Sequence, residues 1–300
     1  PLVHVGALNP LLTICWRGGT AVIMSEFDPA RIWEVFDEER ITVTLAVPAM
    51  LQFMLLTHDP DRHHHDQLRW VMSGAAPVPE TLIKTYEGMN IEIHQVYGLT
   101  ESCGPACLIS PEHALSHAGS TGKAFFHTDV KVVNAAGDEC GADEPGEVMV
   151  SGPHIMLGYW NRPEATAETI VDGWLRTGDV ATVDADGFVY IQDRVKDMII
   201  SGGENVYPAE IENVILAMDG VAEVAVIGVE SASWGESPLA LVVKGDADLT
   251  AEDVLDWTNG KLARFKQPKA VEFVDTIPRN PTGKVLKRIL REQFSEAAAG

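Results

Sequence analysis

The stretch Leu68–Val96, LRWVMSGAAPVPETLIKTYEGMNIEIHQV, contains one strand–helix–strand unit. Leu68–Met72 and Ile91–Val96 are short, mostly apolar runs of strand length, and Pro79–Tyr86 between them is predicted to be a helix. Strands that alternate with helices are typical of a parallel sheet covered by helices. Ligands of such sheets bind beyond the carboxyl ends of the strands. We therefore expect a binding edge where the SGAAP segment and the YGLTE segment follow their strands.

The same alternation extends upstream of this unit. Thr20–Ser25 is predicted to be a short strand, and Asp28 precedes a helix whose apolar residues recur three and four positions apart. Ile41–Val47 is β-branched and predicted to be extended, and a helix should begin near Pro48. We interpret residues 1–118 as an α/β subdomain that forms part of a large domain.

The pattern changes to short strands after Gly119. These predicted strands are Val130–Val133, Glu147–Ser151, Asp179–Val183 and Phe188–Gln192. Asp184–Gly187 reads as the hairpin turn between the last two of them. Residues 119–195 are therefore expected to form a small antiparallel sheet or barrel within the large domain.

A compact α+β domain is predicted for residues 196–300. Its predicted helices are Pro208–Met218, one after Thr250 with Asp253 as a capping partner, and a basic helix from Lys284. Its predicted strands are Val221–Val229, Leu239–Val243 and Val271–Val274. The fold class is thus α/β followed by α+β.

Composition excludes several classes of function. The formal net charge of −22 over 300 residues argues against electrostatic binding of nucleic acid or of an anionic membrane. The sequence has no run of 18 apolar residues, so a transmembrane helix is not expected. Four cysteines without CxxC spacing favour reduced thiols in a cytoplasmic protein. Peripheral contact with a membrane and formation of a homodimer are left open.

Four motifs stand in a fixed order: Gln95–Glu101 (QVYGLTE), Trp174–Asp179 (WLRTGD), Asp193–Glu212 (DRVKDMIISGGENVYPAEIE) and Asn280–Lys284 (NPTGK). In this order the chain resembles the adenylate-forming superfamily of acyl-CoA synthetases, luciferases and peptide-synthetase adenylation domains. The resemblance runs from the first residue to about Gln293 and is nearest to fatty-acyl-CoA ligases, with further similarity around ESCG and GYWNRPEAT.

The resemblance implies ligation of a medium- to long-chain fatty acid to coenzyme A. ATP and Mg²⁺ would be used to form an acyl-adenylate, with release of AMP and pyrophosphate. The family binds the triphosphate with a Gly/Ser/Thr-rich loop that ends in Lys-Gly, upstream of the first motif, and no segment of this chain reads that way. We therefore expect the chain to be the C-terminal part of a longer enzyme, inactive by itself.

Three residues carry the chemistry that the resemblance implies. Glu101 would bind Mg²⁺, which prefers oxygen ligands, and Thr100 would contact phosphate. Lys284 would reach the acyl carboxylate and the oxygen between the acyl group and the phosphate. A cation placed there stabilises charge mainly in the transition state, which lowers the barrier.

The nucleotide site follows from the same resemblance. Its expected residues are Gly74, Ala75, Ala76 and Tyr97 for adenine, and Asp179 and Arg194 for ribose and phosphate. An ionised carboxylate accepts two hydrogen bonds, which suits Asp179 to the ribose hydroxyls. Two alternatives remain: Tyr97 as ordinary core packing and Arg194 as a surface salt bridge.

Coenzyme A and the acyl group have their own expected residues. Gly202 and Gly203 would form a wall without side chains for the pantetheine arm, Trp234 would lie near the CoA nucleotide, and Lys196 would be the hinge of the small domain. His4, Val96 and Gly98 would contact the acyl substrate. Trp234 in the core and a structural His4 are the alternatives. The histidine run His63–His65 is interpreted as an exposed loop, with metal chelation as the other reading.

Three rival functions are weighed against this one. A peptide-synthetase adenylation domain would need an acidic residue just after the region of His4, where Val5–Leu8 supplies none. A non-catalytic binding protein fits the missing triphosphate loop, but it does not explain the presence of Glu101, Asp179, Arg194 and Lys284. An acyl- or aryl-AMP ligase with another acceptor also remains open.

Overall fold

The chain forms two compact units. The computed structural model describes residues 5–76, 78–231, 233–245, 248–280 and 283–294. The first unit comprises residues 5–177 and 181–191, and the second comprises residues 178–180 and 192–294. Among helices in these ranges, none has both the length and the apolar character that crossing a membrane requires.

The first unit contains five helices within the described residues: α1 (Val5–Trp16), α2 (Arg31–Glu38), α3 (Pro48–Thr57), α4 (Glu80–Gly88) and α5 (Pro163–Thr169). Helix α2 begins after an Asp28 carboxylate that accepts from the backbone N–H groups of Ala30 and Arg31. Its Trp33 and Phe36 are buried, so the predicted apolar face of this helix is confirmed.

The first sheet has the order β1-β2-β3-β4-β5. Its strands are β1 (Val43–Leu45), β2 (Trp70–Ser73), β3 (Glu92–Leu99), β4 (Gly104–Leu108) and β5 (Lys123–Ala124). β1, β2 and β3 run parallel, which confirms the predicted parallel sheet. β4 and β5 then continue it antiparallel. Helices α2, α3 and α4 bury Trp33, Leu51 and Tyr86 in one core with residues of β2 and β3.

The second sheet contains β6 (Asp129–Val133), β7 (Gly146–Ser151), β8 (Ile170–Val171), β9 (Trp174–Val183) and β10 (Val189–Arg194). The order is β10-β9-β7-β6, with β8 paired to β9. The predicted turn between β9 and β10 is present, because Asp184 N donates to Phe188 O and Gly187 N donates to Asp184 O.

The second unit contains a mixed sheet with helices on both faces. Its strands are β11 (Ile199–Ser201), β12 (Glu204–Val206), β13 (Val221–Ser231), β14 (Gly235–Lys244) and β15 (Ala270–Phe273), and its helices are α6 (Pro208–Leu216), α7 (Ala251–Thr258) and α8 (Lys287–Phe294). The order is β12-β11-β14-β13, and β15 lies parallel to β14. Alternate residues of β13 point to opposite faces: Val226 packs with α6 and α7, and Ala225 and Ile227 pack with α8. The predicted capping box of Thr250 and Asp253 is present at the start of α7.

The α/β and α+β class is confirmed, and three local predictions are wrong. Residues 20–25 form no strand, and Ile23 is 63% exposed, so this apolar run has no sheet partner among the described residues. β3 continues through Tyr97, Gly98 and Leu99, because β4 pairs with that half of the strand. The last helix begins at Lys287 and not at Lys284, because Val285 forms a β-bridge with Arg279. The domain boundaries after residues 118 and 195 stay predictions.

Candidate active site

The carboxyl edge of the first sheet joins two of the predicted segments by direct backbone contact. A Cβ at Gly74 would lie 2.6 Å from the carbonyl oxygen of Val96, so only glycine allows this approach. The exposed Ala75 follows in the left-handed region with φ of 72°, and Ala76 is also exposed. The structure therefore places Gly74 beside Val96, and Ala75 and Ala76 follow Gly74 on the exposed side.

Gly98 and Tyr97 lie in the second half of β3. A Cβ at Gly98 would lie 2.2 Å from the carbonyl oxygen of Gly104, so the glycine is required for the pairing of β3 with β4. Tyr97 is 8% exposed and packs with Ala106 and Cys107 in the core of the second sheet. The Tyr97 ring is therefore packed in the core, as one of the two alternatives stated. Stacking of this ring on adenine stays a prediction.

Thr100 and Glu101 lie on a single 3-10 turn that follows β3. Ser102 closes the turn, because its hydroxyl donates to Gly104 O at 2.7 Å and accepts from Leu99 N at 3.1 Å. Cys103 then adopts a left-handed conformation with φ of 51°. The position of Glu101 is therefore determined by a closed local network of hydrogen bonds.

Two contacts hold Glu101, one from Met156 and one from Tyr159 in the GYWNRPEAT segment, residues 158–166. Met156 N donates to the Glu101 carbonyl oxygen at 2.9 Å, and the Tyr159 hydroxyl donates to Glu101 Oε1 at 2.7 Å. Burial, followed by the bond to the Glu101 carboxylate, raises the pKa of Tyr159 above its ordinary value. This phenol therefore remains a hydrogen-bond donor at neutral pH.

The donor set around Glu101 is compatible with Mg²⁺. Oε2 of Glu101 accepts no hydrogen bond from the described residues. In the same ranges no group of three or more His, Cys, Asp or Glu side chains is placed to hold a metal. Mg²⁺ usually keeps several waters and binds one or two carboxylates together with substrate phosphates, so a single carboxylate with a free oxygen is sufficient.

The histidine run is not the simple exposed loop that the sequence suggested. His63 is 9% exposed, its Nδ1 accepts from Asp59 N, and its ring stacks on Trp33. His58 and His65 also contact the Trp33 ring, whereas His64 is exposed. Aromatic packing on Trp33 explains why most of this polar run is partly or fully buried.

Asp179 and Arg194 form an ion pair in the second unit. Arg194 Nε lies 3.0 Å from Asp179 Oδ1, and Asp179 is 5% exposed. Arg194 therefore makes a salt bridge, but its partner is buried and is the other residue predicted for the ribose. The structure brings together two predicted residues that lie 15 positions apart in the sequence.

Lys284 is presented by a short hairpin. Lys284 N donates to Asn280 Oδ1 and Asn280 N donates to Lys284 O, both at 2.9 Å, while Arg279 and Val285 form the β-bridge beneath. Gly283 has φ of 85°, a conformation that favours glycine. Pro281 lies outside the described residues.

The surroundings of Lys284 are charged as well as buried. Its pKa is lowered from the ordinary lysine value, mainly by burial and next by the Arg194 guanidinium. Asp179 partly offsets this effect, Lys196 adds to it, and Asp197 opposes it. The predicted ribose, phosphate, hinge and catalytic residues of the second unit therefore share one cluster of charges.

The residues predicted for coenzyme A form a second group in this unit. Gly202 N donates to Trp234 O at 2.8 Å, and a Cβ at Gly202 would lie 2.7 Å from the Trp234 ring. Gly203 has φ of 87° and faces open space. Trp234 is 36% exposed and is therefore not a core residue, and the Lys269 ammonium lies 5.3 Å from its ring centre.

The predicted hinge residue Lys196 and the predicted substrate residue His4 remain to be placed. Lys196 is exposed on the 3-10 turn Val195–Asp197, whose Asp197 carboxylate pairs with Arg291 at 2.8 Å. His4 lies outside the described residues.

The sequence did not reveal a partly buried set of charges beside this cluster. Lys287 Nζ lies 2.8 Å from Glu212 Oε1, which also accepts from Val226 N at 2.7 Å. The Asp193 carboxylate accepts from the backbone N–H groups of Arg194 and Ala209. Burial raises the pKa of Asp193, whereas the carboxylates of Glu212 and Asp193 outweigh burial and raise the pKa of Lys287. A signal was available, because Asp193 and Glu212 are the first and last residues of the third motif.

Comparison with known proteins gives consistent results. Residues 1–160 match the family model of AMP-binding enzymes, and residues 210–284 match that of the AMP-binding enzyme C-terminal domain. A long-chain-fatty-acid–CoA ligase of Mycobacterium tuberculosis strain H37Rv is 46% identical over 98% of this chain and 58% of its own length. A feruloyl-CoA synthase of an Amycolatopsis species is 42% identical over 98% of this chain and 60% of its own.

A solved structure extends the comparison to the fold. The o-succinylbenzoate CoA synthetase of Bacillus subtilis, in complex with the acyl-adenylate intermediate OSB-AMP, superposes with a TM-score of 0.88 at 34% identity. The match covers 97% of this chain and 59% of that protein. The chain thus spans less than two thirds of the length of the relatives that it matches. Because one family model alone matches more than half of its residues, this chain belongs to the family of AMP-binding, adenylate-forming enzymes.

Proposed function

We propose that the whole protein carrying this chain ligates a medium- to long-chain fatty acid to coenzyme A. ATP and the acid would first give an acyl-adenylate and pyrophosphate, and the thiol of coenzyme A would then displace AMP. The observation that carries the proposal is the cluster of Asp179, Arg194 and Lys284 in the second unit. The relatives of known name, which are CoA ligases, support it.

The charges of this cluster suit the first half-reaction. Two anions, a carboxylate and a polyphosphate, must approach each other, so cations are needed at the reacting atoms. Asp179 would accept from the ribose hydroxyls, Arg194 would contact ribose and phosphate, and Lys284 would contact the acyl carboxylate. Glu101 would hold Mg²⁺, which neutralises phosphate charge when bound, and Thr100 would contact phosphate.

Lys284 is retained in an environment that disfavours its charge. Burial and Arg194 both lower its pKa, yet no described carboxylate forms an ion pair with it within 4.0 Å. A cation kept under such conditions is typical of functional sites. An anionic substrate beside Lys284 would remove this penalty.

The second half-reaction is assigned to other residues. Gly202, Gly203 and Trp234 would line the approach of coenzyme A, and Lys196 would be the pivot between the two half-reactions. Lys196→Pro fixes φ and removes a backbone donor, so acyl-AMP should still form while thioester formation fails. Unimpaired thioester formation in that variant would remove Lys196 from the proposal.

The acyl group is the least constrained part of the proposal. The relative at 46% identity is named a long-chain-fatty-acid–CoA ligase, and the relative at 42% identity is named a feruloyl-CoA synthase. An aromatic acid is therefore the second candidate. Val96 and Gly98 would border the acyl channel, and His4 is assigned to it from the sequence alone.

The test is pyrophosphate exchange into ATP by the whole protein. Hexadecanoate, dodecanoate, ferulate and 2-succinylbenzoate would be compared at equal concentration, followed by thioester formation with coenzyme A. Exchange that is fastest with a fatty acid supports the proposal, and exchange that is fastest with ferulate transfers it to aromatic acids. Absence of exchange with every acid, despite binding of ATP, would support the non-catalytic alternative. Residues 1–300 alone should give no exchange.

A further inference from the structure

The GYWNRPEAT segment has no role in the function proposed above, yet it supplies the only side chain among the described residues that hydrogen-bonds the Glu101 carboxylate. The Tyr159 hydroxyl donates to Oε1 at 2.7 Å, and the Thr169 hydroxyl hydrogen-bonds the same phenol. The nearby side chains of Leu157 and Trp160 are almost fully exposed, whereas Tyr159 is 37% exposed. Tyr159 is therefore partly exposed, and its hydroxyl is the part that contacts Glu101.

The backbone of the segment is built to hold the phenol in this position. Thr166 Oγ1 accepts from Tyr159 N and donates to Arg162 O, both at 2.9 Å. A Cβ at Gly158 would lie 2.7 Å from the Thr166 side chain, so this contact requires glycine. Met156 N also donates to Glu101 O. The main chain of Glu101 is thus held by Met156 and its side chain by Tyr159, three residues further along the chain.

A carboxylate at the end of a glutamate side chain is otherwise free to turn. The last torsion of glutamate has broad, poorly separated minima, so a partly exposed Glu101 would sample several orientations. One hydrogen bond to Oε1 restricts that torsion and leaves Oε2 without a protein donor. A ligand pre-oriented by an outer hydrogen bond binds a metal more tightly.

We propose that Tyr159 is a positioning residue that orients the Glu101 carboxylate for the divalent metal of the nucleotide. The inference rests on the proposed function, because that function assigns Glu101 to Mg²⁺. Tyr159 itself contacts neither the metal nor the substrate, and acts through Glu101. Thr169 acts one step further out, by holding the phenol oxygen.

The test measures metal affinity directly. Mn²⁺, which replaces Mg²⁺ and has an electron paramagnetic resonance signal when free, is titrated into the whole protein with a non-hydrolysable ATP analogue. Tyr159→Phe keeps the ring and removes the hydroxyl, and should weaken Mn²⁺ binding by about 10- to 100-fold, the usual effect of losing an outer hydrogen bond to a ligand. Thr169→Val should weaken it in the same direction by less.

A matched control is available in the same unit. The Tyr190 hydroxyl also donates to a carboxylate, Asp184 Oδ2, at 3.3 Å. Tyr190→Phe makes the same chemical change at a carboxylate with no proposed metal, so Mn²⁺ binding should remain at the wild-type level. Thermal unfolding of Tyr159→Phe and Tyr190→Phe, recorded in parallel, separates a loss of metal affinity from a loss of structure.

The outcomes distinguish this inference from the proposed function. If Glu101→Gln abolishes Mn²⁺ binding and Tyr159→Phe leaves it unchanged, the positioning role is wrong and the metal role of Glu101 stands. If Glu101→Gln binds Mn²⁺ like the wild type, the metal assignment itself is wrong. If Tyr159→Phe binds metal weakly and recovers the wild-type rate of pyrophosphate exchange at high Mg²⁺, the inference is supported.

Discussion

Two lysines that lie three residues apart have opposite electrostatic environments. Lys284 lies on the loop before α8, and Lys287 lies in the first turn of α8. Burial lowers the pKa of both ammonium groups. At Lys287 the carboxylates of Glu212 and Asp193 more than compensate, so its pKa is raised. At Lys284 the nearby Arg194 adds to the penalty, so its pKa is lowered.

This difference separates a structural cation, Lys287, from the cation that we propose to be functional, Lys284. Lys287 neutralises carboxylates that the fold has partly buried, and its removal would leave them uncompensated. The buried Asp179 only partly compensates the charge of Lys284, because Asp179 pairs with Arg194 at 3.0 Å and the Arg194 charge opposes that of Lys284. Its charge is expected to be used only when an anionic substrate is bound.

The largest expected effect is on folding. Lys287→Met should lower the free energy of unfolding by about 3 kcal/mol, the lower end of the range for buried pairs, because a partly buried pair then loses one partner. Urea unfolding of the whole protein, followed by circular dichroism, measures this. A loss below about 1 kcal/mol would mean that Glu212 is solvated by other means and that the comparison between the two lysines fails.

The pH dependence of the same difference has a defined sign. Because the folded pKa of Lys287 is raised, its contribution to stability is complete below the ordinary lysine pKa of about 10.4 and is lost as pH rises through the folded value. The stability difference between wild type and Lys287→Met should therefore be constant from neutral pH to about pH 9 and shrink above about pH 10.4.

The second effect is on catalysis. Lys284→Met should slow acyl-adenylate formation by about 10²- to 10³-fold, as for the loss of one preorganised charge donor. Its folded pKa is lowered, so the stability penalty of the charged lysine is present below that folded pKa and disappears above the ordinary value. The free energy of unfolding of Lys284→Met at pH 7 should therefore not fall.

Two measurements sharpen the prediction for Lys284. Synthetic acyl-adenylate and coenzyme A supplied to Lys284→Met should give thioester at a near-normal rate, because Lys284 is assigned to the first half-reaction only. The wild-type rate of adenylation should decline on the alkaline side at a pH below the ordinary lysine pKa of about 10.4. Equal slowing of both half-reactions would contradict the assignment.

A double-mutant cycle gives the third effect. Lys287→Met and Glu212→Gln should be coupled by about 0.5–3 kcal/mol in unfolding free energy, because the two side chains are in direct contact at 2.8 Å. Lys284→Met and Glu212→Gln should instead add to within about 0.5 kcal/mol. Similar coupling in both cycles would place Lys284 in the structural network.

The smallest effect is the control at the neighbouring position. Arg288 pairs with Glu292 four residues on, and both side chains are more than half exposed. Arg288→Met should change the unfolding free energy by about 0.3–0.5 kcal/mol, the value typical of exposed helical pairs. A larger loss would show that removing any cation from this helix is destabilising, and the Lys287 result would then lose its meaning.

Parts of the fold that depend on local periodicity were predictable. The alternation of apolar runs with helical patterns predicted the parallel strands β1, β2 and β3. An apolar face preceded by a capping carboxylate predicted helix α2. Thr20–Ser25 is also an apolar run of strand length, but in the described structure no strand lies beside it. Because a strand requires a hydrogen-bonding partner, these residues do not form one. Pairing partners are distant in the sequence, so this error was not visible there.

The start of the last helix failed for a related reason. A run of basic residues after Lys284 suggested a continuous helix, but Val285 forms a β-bridge with Arg279 and the helix begins only at Lys287. This pairing also creates the hairpin that carries Lys284. Local propensity could not decide between a helix and a β-bridge for these residues, because both conformations provide hydrogen bonds to the backbone groups.

The sequence by itself determined the family, the order of the motifs and the residue types that suit acid activation, because motif spacing and residue chemistry are properties of the chain alone. Only the tertiary structure decided how those residues are held. It paired Asp179 with Arg194, attached Glu101 to Tyr159, and gave two nearby lysines opposite pKa shifts. Burial and charge–charge distance control these effects, and both depend on which distant segments fold against one another.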